Sequence, residues 1–148
     1  MNRIVVGTDG SATSTAALRW AAATADGLGA DLEVVRAFRY PPALHDWAAV
    51  PSNYGFLPEL PAEDVVERGV HDELADLVAT ELRDRDVTVR VLRGHPAEVL
   101  IEAGKDAAML VVGRSGHGAL SDLLRIGSVA RTCIEHAPCP VVVVPAAP

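Results

Sequence analysis

The sequence predicts a doubly wound α/β fold: a five-stranded parallel sheet in the order 3-2-1-4-5, with helices on both faces. Three observations carry this expectation. Short apolar runs, Ile4-Val5-Val6, Met109-Leu110-Val111-Val112 and Val141-Val142-Val143-Val144, recur between stretches of helical periodicity. The first two runs end in glycine turns, Gly7-Thr8-Asp9-Gly10-Ser11 and Gly113-Arg114-Ser115-Gly116, as strands buried inside a parallel sheet do. A third strand alternates Val87, Val89 and Val91 with Thr88 and Arg90, which marks a half-exposed edge.

Taken in order, Arg3 to Thr8 forms the first strand, and the hydroxyl cluster Ser11 to Thr15 offers a cap for the next helix. That helix runs through Ala16, Ala17, Leu18, Trp20, Ala21 and Leu28 and stops at Gly29. Asp31 to Phe38 is the second strand, completing the strand–helix–strand unit of a parallel sheet. Residues 40–61 interrupt the rhythm with five prolines and with Tyr40, Trp47, Tyr54 and Phe56, so this stretch reads as a long loop packed over a site or a partner. Ala62 to Arg85 is the longest helix, with Val66, Val70, Leu74, Leu77 and Val78 at three-to-four spacing. The edge strand Val87 to Leu92 comes next, and Pro96 opens a short helix that ends near Gly104. After the fourth strand and its glycine turn, Ser128 to His136 forms the last helix, with Val129, Ala130, Cys133 and Ile134 on one face. Pro138-Cys139-Pro140 stops it, and the valine run is the fifth strand.

The 148 residues form one domain, 1–148, and a chain of that length buries enough surface to fold without metal or disulfide staples. A formal charge of −7 with no basic run argues against nucleic acid or an anionic membrane as the main partner. The start of the chain shows no export signal and no run reaches the length of a membrane span, so the expected location is cytoplasmic. Cys133 and Cys139 lack the companions of a zinc site and read as buried apolar residues. His71, His95 and His136 show no ligand spacing, so neither a metal site nor a catalytic triad is expected.

In such a sheet a ligand sits at the carboxyl ends of the strands where their order reverses, here between strands one and four. The turn holding Asp9 then lies beside the turn holding Gly113, and two candidate sites become one. Glycine turns feeding helix starts bring bare backbone N–H groups and a favourable dipole to an anion. Arg114 and His117 flank the second turn and read as solvated loop charges, the alternative being that they reach a phosphate or a metal-bound water. The uncovered valine edge 141–144 invites symmetric pairing with a second copy.

Val6-Gly7-Thr8-Asp9-Gly10-Ser11, Val112-Gly113-Arg114-Ser115-Gly116, Gly127-Ser128-Val129 and Ala137-Pro138-Cys139-Pro140-Val141 together resemble the universal stress proteins over the whole chain. The resemblance implies a homodimer joined through strand five and, in one branch, ATP bound without rapid turnover, with any magnesium arriving on the nucleotide. It assigns Asp9 to the ribose and adenine end, the Ala37 backbone to adenine, Val112 to the pocket wall, and Gly7 to the nucleotide-binding set. Gly113 and Gly116 would underlie the phosphates, and Gly127, Ser128 and Val129 would hold the β- and γ-phosphates. Two departures stand against that pattern. Ten residues, His117 to Ile126, separate Gly116 from Gly127, one more than in the ATP-binding branch. In a helix the surplus residue would turn the downstream residues by roughly 100° and advance them by about 1.5 Å. Arg36 also stands where a histidine is frequent. The competing functions are a same-fold dimer that acts only by protein contacts and, more remotely, a slow ATP hydrolase. The hydrolase is disfavoured because no Gly-Lys-Ser/Thr phosphate loop is present. A flavodoxin-like protein would leave Gly113 and Gly127 unexplained, and a receiver domain would need an acidic pair and a late lysine.

Overall fold

A computed structural model describes residues 2–42, 60–115 and 126–146. Within them lie five strands and four helices: β1 (Arg3–Gly7), α1 (Ala12–Leu28), β2 (Asp31–Phe38), α2 (Glu63–Leu82), β3 (Thr88–Arg93), α3 (Pro96–Ala103), β4 (Met109–Gly113), α4 (Ser128–His136) and β5 (Val141–Val144). All strand pairs are parallel and the order is β3-β2-β1-β4-β5, as the half-exposed third strand predicts.

Each face of the sheet carries its own core. Ile4, Val6, Val34 and Val111 pack with Ala17, Leu18 and Ala21 of α1 and with Leu74 and Val78 of α2. On the other face Val5, Val35, Leu110 and Val112 pack with Val99 and Leu100 of α3 and with Ala130 and Cys133 of α4. The alternation of strand side chains makes this division, and the alanines of α1 let that helix sit close to the sheet. Ser11 caps α1, its hydroxyl accepting from the Ser14 N–H, and Gly29 ends it in the left-handed region at φ 61°.

The periodicity of the helices overstates their apolar faces in three places. Trp20 and Leu28 of α1 and Ile134 of α4 are exposed, because those helices bury only the stripe that meets the sheet. The edge strand begins one residue later than its valine pattern suggests, at Thr88. The long helix stops at Leu82, with Arg83 beyond it at φ 50°.

At the amino ends of the strands Glu33 is 7% exposed, and its carboxylate accepts from Arg3 at 2.8 Å and Arg90 at 2.9 Å. Arg3 also donates to the Lys105 carbonyl at 2.8 Å, so one buried carboxylate with two hydrogen-bonded guanidiniums ties the starts of β1, β2 and β3 together. At the opposite end of the sheet, Arg93 donates to the Tyr40 carbonyl at 3.2 Å and to Glu63 at 2.9 Å. Its guanidinium also lies 5.8 Å from the Tyr40 ring centre, while the Tyr40 hydroxyl donates to the Pro61 carbonyl at 2.9 Å. The expected packing of loop 40–61 over a site falls largely outside the described residues; its two stems, at Tyr40 and Pro61, are bonded to each other.

Candidate functional site

The turn after β1 is held by its own hydroxyls. Thr8 and Ser14 hydroxyls lie 3.1 Å apart in the interior, and the Asp9 and Gly10 N–H groups donate to them at 3.3 Å. Gly10 takes φ 83°, which an L side chain would strain, and lets the chain fold back so that Asp9 accepts the Ser11 N–H at 2.9 Å. Capping of α1 therefore belongs to Ser11, and Asp9 stands one step outside it, at the carboxyl end of β1.

Gly113 is required by packing. A Cβ there would lie 2.8 Å from the Thr13 carbonyl carbon and 2.9 Å from the Ser14 nitrogen, so only glycine lets the first turn of α1 press against the end of β4. Across that contact the Thr13 hydroxyl donates to the Ser115 carbonyl, joining the two turns. Arg114 continues the tie: its N–H donates to the Val144 carbonyl at 2.8 Å, and its own carbonyl accepts the Gly127 N–H at 2.7 Å. That last bond fixes the start of α4 beside the β4 turn.

Gly127 is the N-cap of α4, has extended backbone, and makes no side-chain cap. Ser128 is the first helical residue, where the sequence places the start of the last helix. The N–H groups of Ser128, Val129 and Ala130 are the first-turn donors for which a helix has no internal acceptor, and the helix dipole adds partial positive charge there.

Strand register opens a second set of backbone groups. The Phe38 carbonyl accepts from Gly94, next to β3, while the Val35 carbonyl accepts from Thr8 on the β1 side, at 2.9 and 3.0 Å. By alternation Ala37 turns its N–H and C=O to the β1 side, yet β1 ends at Gly7, opposite Val35. Ala37 therefore offers one donor and one acceptor beyond the end of its neighbour.

These groups surround one cavity of about 760 Å³, within the roughly 300–1,000 Å³ usual for small-molecule sites. Gly7, Asp9, Ala37, Val112, Gly113, Gly127, Ser128 and Val129 all line it. Gly116, the remaining residue singled out in the sequence, lies outside the described residues, as does most of the segment holding the surplus residue. Whatever path 117–125 takes, Gly127 and Ser128 line the same cavity as Asp9.

Sequence reasoning missed part of the wall. Val66 and Val70 of α2 line the cavity with Phe38, Pro96 and Leu100; their helical spacing could not separate a cavity wall from a core. Arg36, Arg39 and Arg114 also line it, an arginine content hidden by the chain's acidic total. Arg36 pairs with Glu73 at 3.3 Å, a contact weakened by the exposure of its partner. Arg114, expected as a solvated loop charge, is half-buried, and its Nε is shielded from solvent with no hydrogen-bond partner. An unpaired buried donor of this kind costs about 1–3 kcal/mol, more when charged.

Other expectations resolve away from the cavity. His95 caps α3, its Nδ1 accepting the Ala97 N–H at 3.3 Å. Burial, with a smaller contribution from Cys139, pushes the Cys133 thiol up to about 11, so at neutral pH it remains a protonated, apolar group. Cys139 is half-buried rather than enclosed. No group of three His, Cys, Asp or Glu side chains suited to a metal occurs among the described residues. Among them, too, no helix is long and apolar enough to cross a membrane.

Comparison with known proteins points the same way. A family model described as the universal stress protein family matches residues 1–145. Universal stress protein Rv1996 of Mycobacterium tuberculosis is 34% identical over 98% of this chain and 48% of its own length. The chain thus spans about half the length of the curated relatives it matches. Among solved structures, a universal stress protein in complex with cAMP superposes with a TM-score of 0.65 at 23% identity, covering 99% of this chain and 98% of that one. The universal stress protein from Archaeoglobus fulgidus in complex with dAMP gives 0.60 at 23% identity, covering 97% and 98%. At these identities the superpositions establish the fold.

Proposed function

Because the chain belongs to the universal stress protein family, we propose that it binds ATP in the cavity at the carboxyl ends of β1 and β4 and acts through occupancy, with little or no turnover. The observation that carries this reading is the convergence of an Ala37 donor–acceptor pair, the Asp9 carboxylate and the free first-turn amides of α4 on one cavity. Ala37 matches the acceptor and donor on adenine's pairing edge, and Asp9 accepts from ribose hydroxyls. Gly7 and Val112 line the pocket, and Gly113 lies under the phosphates, where the resemblance also assigns Gly116, which is outside the described residues. The N–H groups of Ser128 and Val129 and the Ser128 hydroxyl hold the β- and γ-phosphates, with Gly127 leaving room for them. The cAMP and dAMP in two similar structures support an adenine nucleotide as the class. Magnesium would enter with the triphosphate and keep most of its waters.

Slow turnover is expected from the groups that face the cavity. Asp9 is the one carboxylate lining it among the described residues, and its Oδ1 is engaged by Ser11. Titration of the protein with ATP in a calorimeter, with mass analysis of nucleotide extracted after purification, tests the reading. Saturable binding near one ATP per chain is expected. No heat and no extracted nucleotide would leave the protein-contact dimer as the function.

The reading includes a homodimer through β5. Arg114 and Leu110 donate to the Val144 and Pro140 carbonyls, so the even positions of β5 face β4. Val141 and Val143 then turn their N–H and C=O groups outward as an unpaired parallel edge. Val143→Pro removes an outward donor without breaking a bond to β4. Sedimentation should show a dimer for the unaltered chain and at least about a tenfold weaker dimer for this variant, the loss of one or two hydrogen bonds per subunit. An unchanged dimer would move the interface elsewhere.

A further inference from the structure

Arg114 stands where two positive features meet. Its backbone carbonyl accepts the N–H of the α4 N-cap at 2.7 Å, and Arg114 lines the same cavity as Ser128, Val129 and Ala130, the first-turn residues of that helix. Arg36 is already paired with Glu73. The Arg114 Nε is buried and makes no hydrogen bond, so its donor is left without a partner by the fold itself. A helix start and a guanidinium placed together repel each other until an anion lies between them. One phosphate satisfies the amides; a chain of phosphates reaches both.

Resting on the adenine-nucleotide reading, we propose that Arg114 makes this cavity selective for nucleoside di- and triphosphates over monophosphates and cyclic monophosphates. A rotation of its side chain brings the Nη donors onto the terminal phosphate, where the fork geometry of arginine suits two oxygens. The class of ligand therefore differs from the cAMP and dAMP held by the similar structures.

Calorimetric affinities of ATP, ADP, AMP and cAMP for the unaltered chain, Arg114→Gln and Arg114→Lys test this. The unaltered chain should bind ATP at least tenfold more tightly than AMP. Arg114→Gln should lose about 10- to 100-fold for ATP, as expected for a charge-assisted contact, and less than about threefold for AMP. Arg114→Lys, which keeps the stem and the charge but not the fork, should recover part of the ATP affinity and control for folding. Equal losses for ATP and AMP, unchanged ATP affinity, or an unaltered chain that binds AMP as tightly as ATP would overturn the selectivity while leaving adenine-nucleotide binding in place. A chain that binds none of the four would overturn both.

Discussion

On the proposed ATP reading, Gly127→Val is expected to abolish measurable ATP uptake while the sheet stays folded. Gly127 is the N-cap of α4 with φ −65° and ψ 164°, an extended conformation that valine adopts without strain. Its own N–H already serves the Arg114 carbonyl, so backbone bonding survives the change. What changes is space: a branched side chain would stand at the cavity wall, before the free amides of Ser128, Val129 and Ala130. Blocking two charge-assisted hydrogen bonds costs about 3–6 kcal/mol, at least about 100-fold in affinity. Calorimetry measures the loss, and circular dichroism and thermal melting verify the fold. ATP binding within threefold of the unaltered chain would move the phosphates away from α4.

Gly113→Ala has the opposite character, a loss of stability before any loss of binding. The added Cβ would meet backbone atoms of Thr13 and Ser14 at 2.8 and 2.9 Å, and a helix backbone cannot step aside as a side chain does. Either α1 shifts away from β4, or the end of β4 bends. Overpacking of this kind costs about 1–3 kcal/mol, which lowers Tm by roughly 2–12 °C in a chain of this size. Gly7 makes the control. A Cβ there would meet the Leu100 side chain at 2.6 Å, and rotation of that leucine relieves part of the clash, so Gly7→Ala should cost less than Gly113→Ala. Thermal melting of both variants without nucleotide gives the comparison; equal Tm values for Gly113→Ala and the unaltered chain would refute the backbone clash.

The fold is legible in the sequence because its strands announce themselves twice, through apolar runs and through the turns that end them. Val87, Val89 and Val91, alternating with polar residues, mark the sheet edge, and the edge settles the strand order. The site is legible where glycine or a turn carboxylate is needed, at Gly7, Asp9, Gly113 and Gly127. It is illegible where ordinary helix residues turn from core to cavity. Val66 and Val70 share the spacing of Leu74 and Val78, yet the first pair lines the cavity and the second is buried against the sheet. Periodicity reports which side of a helix is apolar, not what stands opposite it. Arg114 is read in the sequence as a solvated turn charge first and a phosphate contact second, and its partial burial could not be seen there.

The knot of contacts among Tyr40, Pro61, Glu63 and Arg93 separates the architecture from the segment it subtends. Both stems are fastened to each other and to the end of β3, so described residues alone already hold the end of β2 to the start of α2. A foreign peptide spliced in between the two stems would inherit an anchored base, with Pro42 beside it on the wall of the cavity.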